Sequence, residues 1–168
     1  LFGENTVKGE LVPSIGSSYS WSTDGSSVTV VINPNAEWSD GTPISGDDVA
    51  FSFELAGDQT RWKADFDMRF DDFVSTGAKT ARFDMLSGFE FSRSVEHWMQ
   101  YDVPIIPMHI WEEILDDSSI VGADRDFEKT QYQYDWFGDS ADVNYVPAEW
   151  RVISGPYAPV YRDSLEAN

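Results

Sequence analysis

Few residues of this chain have the types and spacing that catalysis requires. Cysteine is absent and two histidines occur among 168 residues, which excludes thiol nucleophiles and thiolate metal sites. The best nucleophile candidate is Ser140, in the triplet Gly138-Asp139-Ser140, with His97 or His109 as its general base. A G-x-S-x-G motif, which would hold a nucleophilic serine on a strained turn, is missing. We therefore predict that the protein is not an enzyme and keep a serine hydrolase using Ser140 as an alternative hypothesis.

Two partial metal-binding patterns fail where the geometry is most demanding. His109 and Glu113 have i,i+4 spacing on a predicted helix, but two ligands are too few for a closed zinc site and the H-E-x-x-H order is missing. Four acidic residues follow the spacing of a calcium-binding loop: Asp124, Asp126, Glu128 and Asp135. Lys129 occupies the position of that loop where the sharp turn requires glycine. We therefore predict neither a metal ion nor a cofactor.

The net charge excludes whole classes of partner. Aspartate and glutamate number 30 against 11 lysines and arginines, which gives a net charge of −19. The basic residues are scattered along the chain, whereas nucleic-acid binding requires a basic patch or stripe. Anionic membranes repel such a chain for the same reason. We predict a protein that binds neither nucleic acid nor an anionic lipid surface.

The kind of charge indicates how the surface stays hydrated. Of the 30 acidic residues 19 are aspartate, and of the 11 basic residues four are lysine. This balance would keep a surface solvated in molar salt, where charge repulsion is screened within about 3 Å. We hypothesise a halophilic source, with an ordinary acidic secreted protein as the alternative.

Alternating side chains near the N-terminus predict a β-hairpin. Residues 18–21 and 27–32 each alternate in polarity, and the turn between them contains Asp24-Gly25. Glycine accepts the positive φ angle that such turns need. Residues 1–17, with several glycines and a proline, are predicted to be an extended lead-in.

Residues 45–55 carry a helix signal with a defined start. Ser45 can cap the first amides, and Asp48, three residues later, is the shorter analogue of the capping-box glutamate. Two i,i+4 apolar pairs, Val49/Phe53 and Phe51/Leu55, lie along the segment. Gly57 is a suitable helix stop.

The remaining elements complete the predicted fold. A second hairpin is predicted at residues 73–76 and 79–86, turning at Gly77. Two further short helices are predicted at residues 92–100 and 108–115. A last strand is predicted at residues 152–161. Residues 61–71 are predicted to be a loop and residues 116–150 an acidic, irregular segment. The fold class is therefore α+β: a mainly antiparallel sheet of two hairpins plus a C-terminal strand, with about three short helices packed on it.

Trp62 and Phe66 are large aromatic residues in the predicted loop, beside Arg61 and Lys63. They could line a recognition surface. They could equally fold back on the sheet as a satellite of the core. The residues alone leave both interpretations open.

Several sequence blocks carry a resemblance to a known family. Residues 38–54 read WSDGTPISGDDVAFSFE, similar to the pattern W-x-D-G-x-P-h-T-A-x-D-V-h-F-S-h-E, where h is apolar. Residues 11–15 (LVPSI), 105–111 (IIPMHIW) and 154–157 (SGPY) are similar to further blocks in the same order. On these blocks the chain resembles the large extracellular solute-binding proteins of peptide/nickel-type ABC importers, family 5. Gly46 stands where that pattern has alanine.

The resemblance implies structural roles for the motif residues. It implies that Trp38 and Pro43 lock the approach to the helix, that Ser45 and Asp48 cap it, and that Gly155-Pro156 turns into the last strand. The full set of structural motif residues is Trp38, Asp40, Gly41, Pro43, Ser45, Asp48, Pro107, His109, Gly155, Pro156 and Tyr157. For solute contact the resemblance indicates Trp62 and Phe66, because the family's corresponding segment lies beside the ligand cleft.

Members of this family are much longer than 168 residues and close two lobes over a ligand. The resemblance therefore implies that residues 1–168 are a single subdomain of a type II periplasmic-binding-protein fold, with an insertion at about 116–150. The implied partners are a peptide or similar small solute, the ABC permease subunits and the remaining lobes of the receptor. The implied location is extracellular or periplasmic, with a lipid anchor at the membrane surface. A free-standing acidic domain that binds another protein is the third hypothesis.

The acidic surface leads to a prediction about salt. Thermal stability should rise between low and molar KCl, because screening relieves repulsion among the carboxylates. A series of melting curves followed by circular dichroism measures the effect. A melting temperature that stays flat across the series would remove the halophile hypothesis.

Overall fold

A four-stranded antiparallel sheet forms from the two predicted hairpins. The computed structural model describes residues 1–5, 7, 10–58, 63–99, 103–116 and 152–154. Its strands are β1 (Phe2–Asn5), β2 (Glu10–Pro13), β3 (Gly16–Trp21), β4 (Ser27–Ile32), β5 (Phe70–Gly77) and β6 (Thr80–Met85). The larger sheet has the order β3-β4-β6-β5, and β1 and β2 pair in a separate two-stranded sheet.

Four α-helices accompany the sheets in the described ranges of the chain. They are α1 (Gly46–Gly57), α2 (Lys63–Arg69), α3 (Ser94–His97) and α4 (Met108–Asp116). In the part of the chain that the structure describes, no helix combines the length and apolar character needed to cross a membrane. The α+β fold class is confirmed, as is the predicted division into short helices and antiparallel hairpins.

One face of the larger sheet is buried because its strands alternate apolar and polar side chains. Strands β4 and β6 pair in a register that sets Val28 opposite Phe83 and Val30 opposite Ala81. These side chains and their i+2 neighbours share the inner face, since the side-chain period of a strand is two. The buried residues of this face are Val28, Val30, Ile32, Ala81, Phe83 and Met85.

Phe53 of α1 lies at the centre of an aromatic cluster above this face. Its ring centroid is 4.3 Å from that of Phe83, 5.5 Å from that of Phe73 and 6.1 Å from that of Phe66. Such ring pairs stabilise a core somewhat beyond the area that they bury. The cluster fixes α1 and α2 against the β5–β6 hairpin.

Gly46 allows the start of α1 to approach the β5–β6 turn closely. Its N–H donates to the carbonyl of Ala78 at 3.1 Å. A β-carbon at position 46 would clash with the carbonyl oxygens of Thr80 and Gly77. Glycine at this position is therefore explained by the path of this particular turn.

Two predicted segments were wrong, each for a physical reason. Residues 1–17 contain β1 and β2 rather than an extended lead-in, because the two short segments pair with each other. The described part of 61–71 contains α2 and the start of β5 rather than a loop. Exposed i,i+4 ion pairs between Lys63 and Asp67 and between Asp65 and Arg69 support this helix.

The C-terminal part of the prediction is mostly outside the described residues. Residues 152–154 are described and do not belong to a strand. Instead, the backbone of Ile153 is hydrogen-bonded to Ser39. The rest of the predicted strand and the predicted insertion beyond residue 116 lie outside the described residues.

Neighbouring valines on β4 test which face of the sheet is the core. Val30 is fully buried, so Val30→Ala should lower the free energy of unfolding by about 2 kcal/mol. Val31 is 37% exposed, so Val31→Ala should lower it by less than about 0.5 kcal/mol. Urea unfolding measures both, and the two variants lose the same strand propensity. Equal losses would contradict the assigned face.

Candidate functional site

Residues 38–43 form a tight loop, here called the motif loop, that leads into α1. The N–H of Trp38 donates to the carbonyl of Thr42 at 2.8 Å, and the N–H of Gly41 donates to the carbonyl of Trp38 at 2.9 Å. The N–H of Thr42 also donates to Asp40 Oδ1 at 2.9 Å. Gly41 has a φ of +88°, a conformation that side chains oppose. The conformation of the loop thus explains why these residue types occur here: Asp40 accepts the hydrogen bond from Thr42, and Gly41 adopts the positive φ angle.

Two contacts fasten the motif loop to segments that are distant in the chain. Asp40 Oδ2 lies 2.8 Å from His109 Nε2, in the first turn of α4. The N–H of Ser39 donates to the carbonyl of Ile153 at 2.8 Å, and the N–H of Ile153 donates to Ser39 Oγ at 3.1 Å. Two of the sequence blocks, residues 38–54 and 105–111, therefore meet at this loop, together with the residue that precedes the block 154–157.

Lys79 forms hydrogen bonds to the chain on both sides of the motif loop, a role that the sequence analysis did not predict. Its Nζ donates to the carbonyl of Ala36 at 3.1 Å and to the carbonyl of Ile44 at 2.6 Å. Between these flanks Trp38 is 2% exposed. Its indole Nε1 is buried without a hydrogen-bond acceptor within the described part of the chain. A lysine in a hairpin turn carries no local signal of this role, since both acceptors are distant in sequence.

Asp48 joins the start of α1 to the start of α4. Its Oδ2 accepts hydrogen bonds from the N–H and the Oγ of Ser45, each at 2.8 Å. Its Oδ1 accepts a hydrogen bond from the N–H of Met108 at 2.8 Å. The residue is 3% exposed, and a carboxylate without water needs such donors. The predicted capping box between Ser45 and Asp48 is confirmed, and the bond to Met108 is an additional role.

Ser52 extends this network by one helical turn. Its hydroxyl donates to the carbonyl of Asp48 at 2.6 Å and accepts from the N–H of Ile106 at 2.9 Å. Residues 103–107 have no helix or strand of their own, so their buried amides need partners from elsewhere. Side chains of α1 accept hydrogen bonds from two amides here, that of Ile106 in this segment and that of Met108 at the start of α4.

Asp40 remains ionised despite its position in the loop. Burial by itself would raise the pKa of its carboxyl group. The hydrogen bonds from Thr42 and His109 outweigh this, and the pKa lies below its ordinary value of 3.8. The side chains of His109 and Asp40 are 35% and 33% exposed, so their contact contributes little to stability and mainly orients the loop.

A groove of about 740 Å³ lies beside the motif loop. Residues 38–41 line it on the side of the loop, and residues from four other stretches of the chain complete it. These are Ser14, Ile15, Asn33, Asn35, Ala36, Glu37, Ile44 and Ser154. The groove combines apolar residues with amide, hydroxyl and carboxylate groups.

The two aromatic residues predicted to contact solute fall in different places. Trp62 lies outside the described residues. Phe66 is 2% exposed and packs against Phe70 and Trp98 at centroid distances of 5.0 and 5.1 Å. It also borders a cleft of about 250 Å³ next to several acidic residues. The packing of Phe66 matches the interpretation that it is part of the core.

The other candidate residues are only partly described. Ser140, the calcium-like segment and the motif residues Gly155, Pro156 and Tyr157 lie outside the described residues. Pro107 precedes α4, where its carbonyl accepts hydrogen bonds from Ile110 and Trp111 at 3.1 Å each. Within the described ranges, no three histidine, aspartate or glutamate side chains are grouped to hold a metal ion.

Comparison with known proteins identifies the family. The sequence profile of the bacterial extracellular solute-binding proteins, family 5 (Middle), matches residues 10–157. The chain belongs to this family. The family 5 assignment confirms the resemblance seen in the sequence blocks, since the match includes the motif loop, α1 and α4.

Individual relatives are longer proteins. The peptidoglycan-binding protein YepA of Agrobacterium fabrum is 32% identical over 92 residues, which are 53% of this chain and 14% of that protein. The periplasmic alpha-galactoside-binding protein of Rhizobium meliloti is 42% identical over 45 residues, 27% of this chain and 6% of that protein. This family 5 chain thus covers a small part of these relatives.

Solved structures show the same fold. A dipeptide-binding protein of Pseudoalteromonas in complex with Met-Leu has a TM-score of 0.60 at 15% identity, over 71% of this chain and 27% of that chain. A periplasmic oligopeptide-binding protein of Thermotoga maritima has a TM-score of 0.57 at 23% identity, over 67% and 20%. The family 5 chain therefore has the fold of a subdomain of type II periplasmic binding proteins.

Adjacent aspartates at the start of α1 test the network around Asp48. Asp48→Ala should lower the free energy of unfolding by about 3 kcal/mol, because it removes the carboxylate half of the capping box and leaves the Met108 amide unpaired. Asp47→Ala removes an exposed charge from the same helix turn and should cost about 0.5 kcal/mol. Denaturant unfolding compares them. Similar losses would mean that the buried hydrogen bonds do not stabilise the fold.

Proposed function

We propose that this chain is a structural unit of the substrate-binding component of an ABC importer. The observation that carries the proposal is the family match over residues 10–157, which spans the segments joined by Asp48. In the complete protein, two lobes would capture the solute between them and deliver it to the membrane permease. The unit described here would serve mainly as scaffold beside that cleft.

The internal use of the motif side chains supports a scaffold role. Asp40 binds His109, Ser39 binds Ile153 and Asp48 binds Met108. Their hydrogen-bonding groups hold the unit together and are therefore committed before any solute arrives. Selectivity for the solute would then come from other parts of the receptor.

We propose peptides or similar small solutes as the cargo. The support is that similar structures are named as oligopeptide- and dipeptide-binding proteins. One relative is named for alpha-galactosides, so sugars are the competing class. The receptor would act outside the cell or in the periplasm, held at the membrane surface by a lipid anchor.

Trp62 and Phe66 are the residues of this unit proposed to lie nearest the solute. Phe66 would form part of the wall beneath the solute, because its ring borders the acidic cleft and also packs on Phe70 in the core. Trp62 would make the direct contact, since a large aromatic ring suits the apolar part of a solute.

Isothermal titration of the complete receptor tests the cargo. Dipeptides to pentapeptides should bind with measurable heat, and alpha-galactosides serve as the competing ligands. Peptide binding supports the proposal. Binding of sugars alone, or of neither class across a broad library, would contradict a peptide cargo.

The same titration separates the two aromatic residues. Trp62→Ala should weaken peptide binding by about tenfold or more while leaving the melting temperature unchanged. Phe66→Ala should lower the melting temperature, because it opens a cavity in the core. If Trp62→Ala binds like the unmodified receptor, Trp62 is not a contact residue, whatever the cargo proves to be.

A further inference from the structure

Phe91 has a backbone conformation that its own side chain opposes. It lies in the turn region between β6 and α3, and its φ angle of +55° is the one positive φ value at a non-glycine position among the described residues. Glycine and asparagine adopt this left-handed conformation more readily, and for a bulky residue it is unfavourable. The residue is nevertheless 53% exposed, so burial in the core does not explain its place there. An unfavourable conformation at an exposed aromatic residue indicates a role outside the fold.

Two contacts hold Phe91 against the turn of the β3–β4 hairpin. Its N–H donates to the carbonyl of Gly25 at 3.2 Å. Its ring lies directly on Gly25, where a β-carbon would overlap the ring. The centroid of the ring is 5.7 Å from that of Trp21, at the end of β3. The position of the exposed ring is therefore fixed before any partner arrives.

Two ionised carboxylates flank these rings. Hydrogen bonds from the hydroxyl groups of Ser22 and Ser26 lower the pKa of Asp24 to about 2. The N–H of Gly88 donates to the carboxylate of Glu90 and lowers the pKa of that group as well. Asp24 lies close enough to Glu90 for its charge to act on that pKa in the opposite direction. Neither carboxylate forms an ion pair with a described residue.

These four residues, Trp21, Asp24, Glu90 and Phe91, are here called the Phe91 patch. The exposed face of an aromatic ring attracts a cation, and ionised carboxylates beside the ring add to that attraction. A guanidinium group suits both, since it is planar, stacks on rings and donates several N–H groups to carboxylates. The chemistry of the patch therefore points to arginine.

The chain already makes this contact next to the patch. The guanidinium carbon Cζ of Arg69 lies 5.7 Å from the ring centroid of Phe89, two residues before Phe91. Among the described basic residues, none lies over the Phe91 ring in the same way. Phe91 thus has the ring face and the neighbouring charges of a cation–π site, but its cation would have to come from elsewhere.

The open shape of the patch favours a protein partner over a free solute. Phe91 and both carboxylates are exposed, and none of the four residues lines either of the two cavities described above. Small ligands are mostly bound in concave sites that enclose them. An arginine that belongs to a second protein needs no such enclosure, because the contacts around it complete the interface.

We propose that the Phe91 patch is a docking site for an arginine side chain of a partner protein. The guanidinium group stacks on the ring of Phe91, and its N–H groups donate to the carboxylates of Asp24 and Glu90. The proposal does not depend on the cargo of the receptor, since the patch is separate from the groove at the motif loop and from the cleft beside Phe66.

Titration of the complete receptor with a dye-labelled peptide tests the proposal. The probe is the peptide Gly-Arg-Gly-Arg-Gly, and the control peptide carries citrulline, which has the shape of arginine without its charge. Fluorescence anisotropy should show that the citrulline peptide binds about tenfold or more weakly than the arginine peptide. Equal binding of both peptides, or no binding of the arginine peptide up to about 1 mM, would overturn the proposal.

Substitutions of Phe91 separate docking from folding. Phe91→Asn should weaken binding of the arginine peptide about tenfold, because it removes the ring. Its melting temperature should fall by no more than about 3 °C, since asparagine accepts the positive φ angle. Phe91→Trp keeps an aromatic face and should bind the peptide within about twofold of the unmodified receptor. Unchanged binding by Phe91→Asn would overturn the proposal, since the peptide would then occupy another site, such as the solute cleft.

Two charge variants test whether the binding is local, because a chain with a net charge of −19 attracts any cation. Glu90→Gln removes a charge of the patch, keeps an oxygen for the Gly88 amide and should weaken binding about threefold. Glu112→Gln removes the same charge from an exposed position of α4 and should change binding by less than about 1.5-fold. Equal effects of the two substitutions would mean nonspecific attraction and would contradict a docking site at Phe91.

Discussion

The buried carboxylate of Asp48 is the constraint on which the arrangement of this unit depends. A carboxyl group that is 3% exposed must find hydrogen-bond partners inside the protein. Ser45 supplies two of them and the amide of Met108, 60 residues away, supplies the third. The start of α1 and the start of α4 must therefore come together, and the motif loop and the segment before α4 are positioned as a consequence.

Charge is divided sharply between the surface and the interior. The chain has a net charge of −19, yet Asp48 and Ser52 are the only buried residues among the described side chains that carry a carboxylate or a hydroxyl group. The core beneath is made of aromatic and aliphatic residues clustered around Phe53. Repulsion among carboxylates thus acts mainly on exposed groups, where water and salt can screen it. The buried side chains of Asp48 and Ser52 belong to one hydrogen-bonded network in which each has its partners. The interior of the fold therefore contains no unpaired carboxylate among the described residues.

Local patterns predicted most of the fold but not the network that connects it. The first hairpin, the capping box and the inner face of β6 follow from alternation, turn glycines and helix spacing, all within a few residues. Helix α2 was missed because it buries a single residue, Phe66, so it shows no apolar period, and its ion pairs lie on the polar side. The roles of Lys79 and Ser52 depend on partners 35 or more residues away, and no local pattern contains that information. The family resemblance marked the motif residues without showing what they contact.

The hydrogen bonds of the motif side chains agree with the scaffold role proposed for this unit. The side chains of Asp40, Ser39 and Asp48 form hydrogen bonds that join segments of the unit to one another. Enclosing a solute requires two bodies that move about a hinge, whereas the described elements surround one common core. Rigidity is useful in such a unit, because a groove or cleft wall keeps its shape only when the loop behind it is fixed. The motif loop is fixed from both flanks by Lys79 and from its tip by His109, and so it can present a constant surface to whatever part of the receptor lies against it.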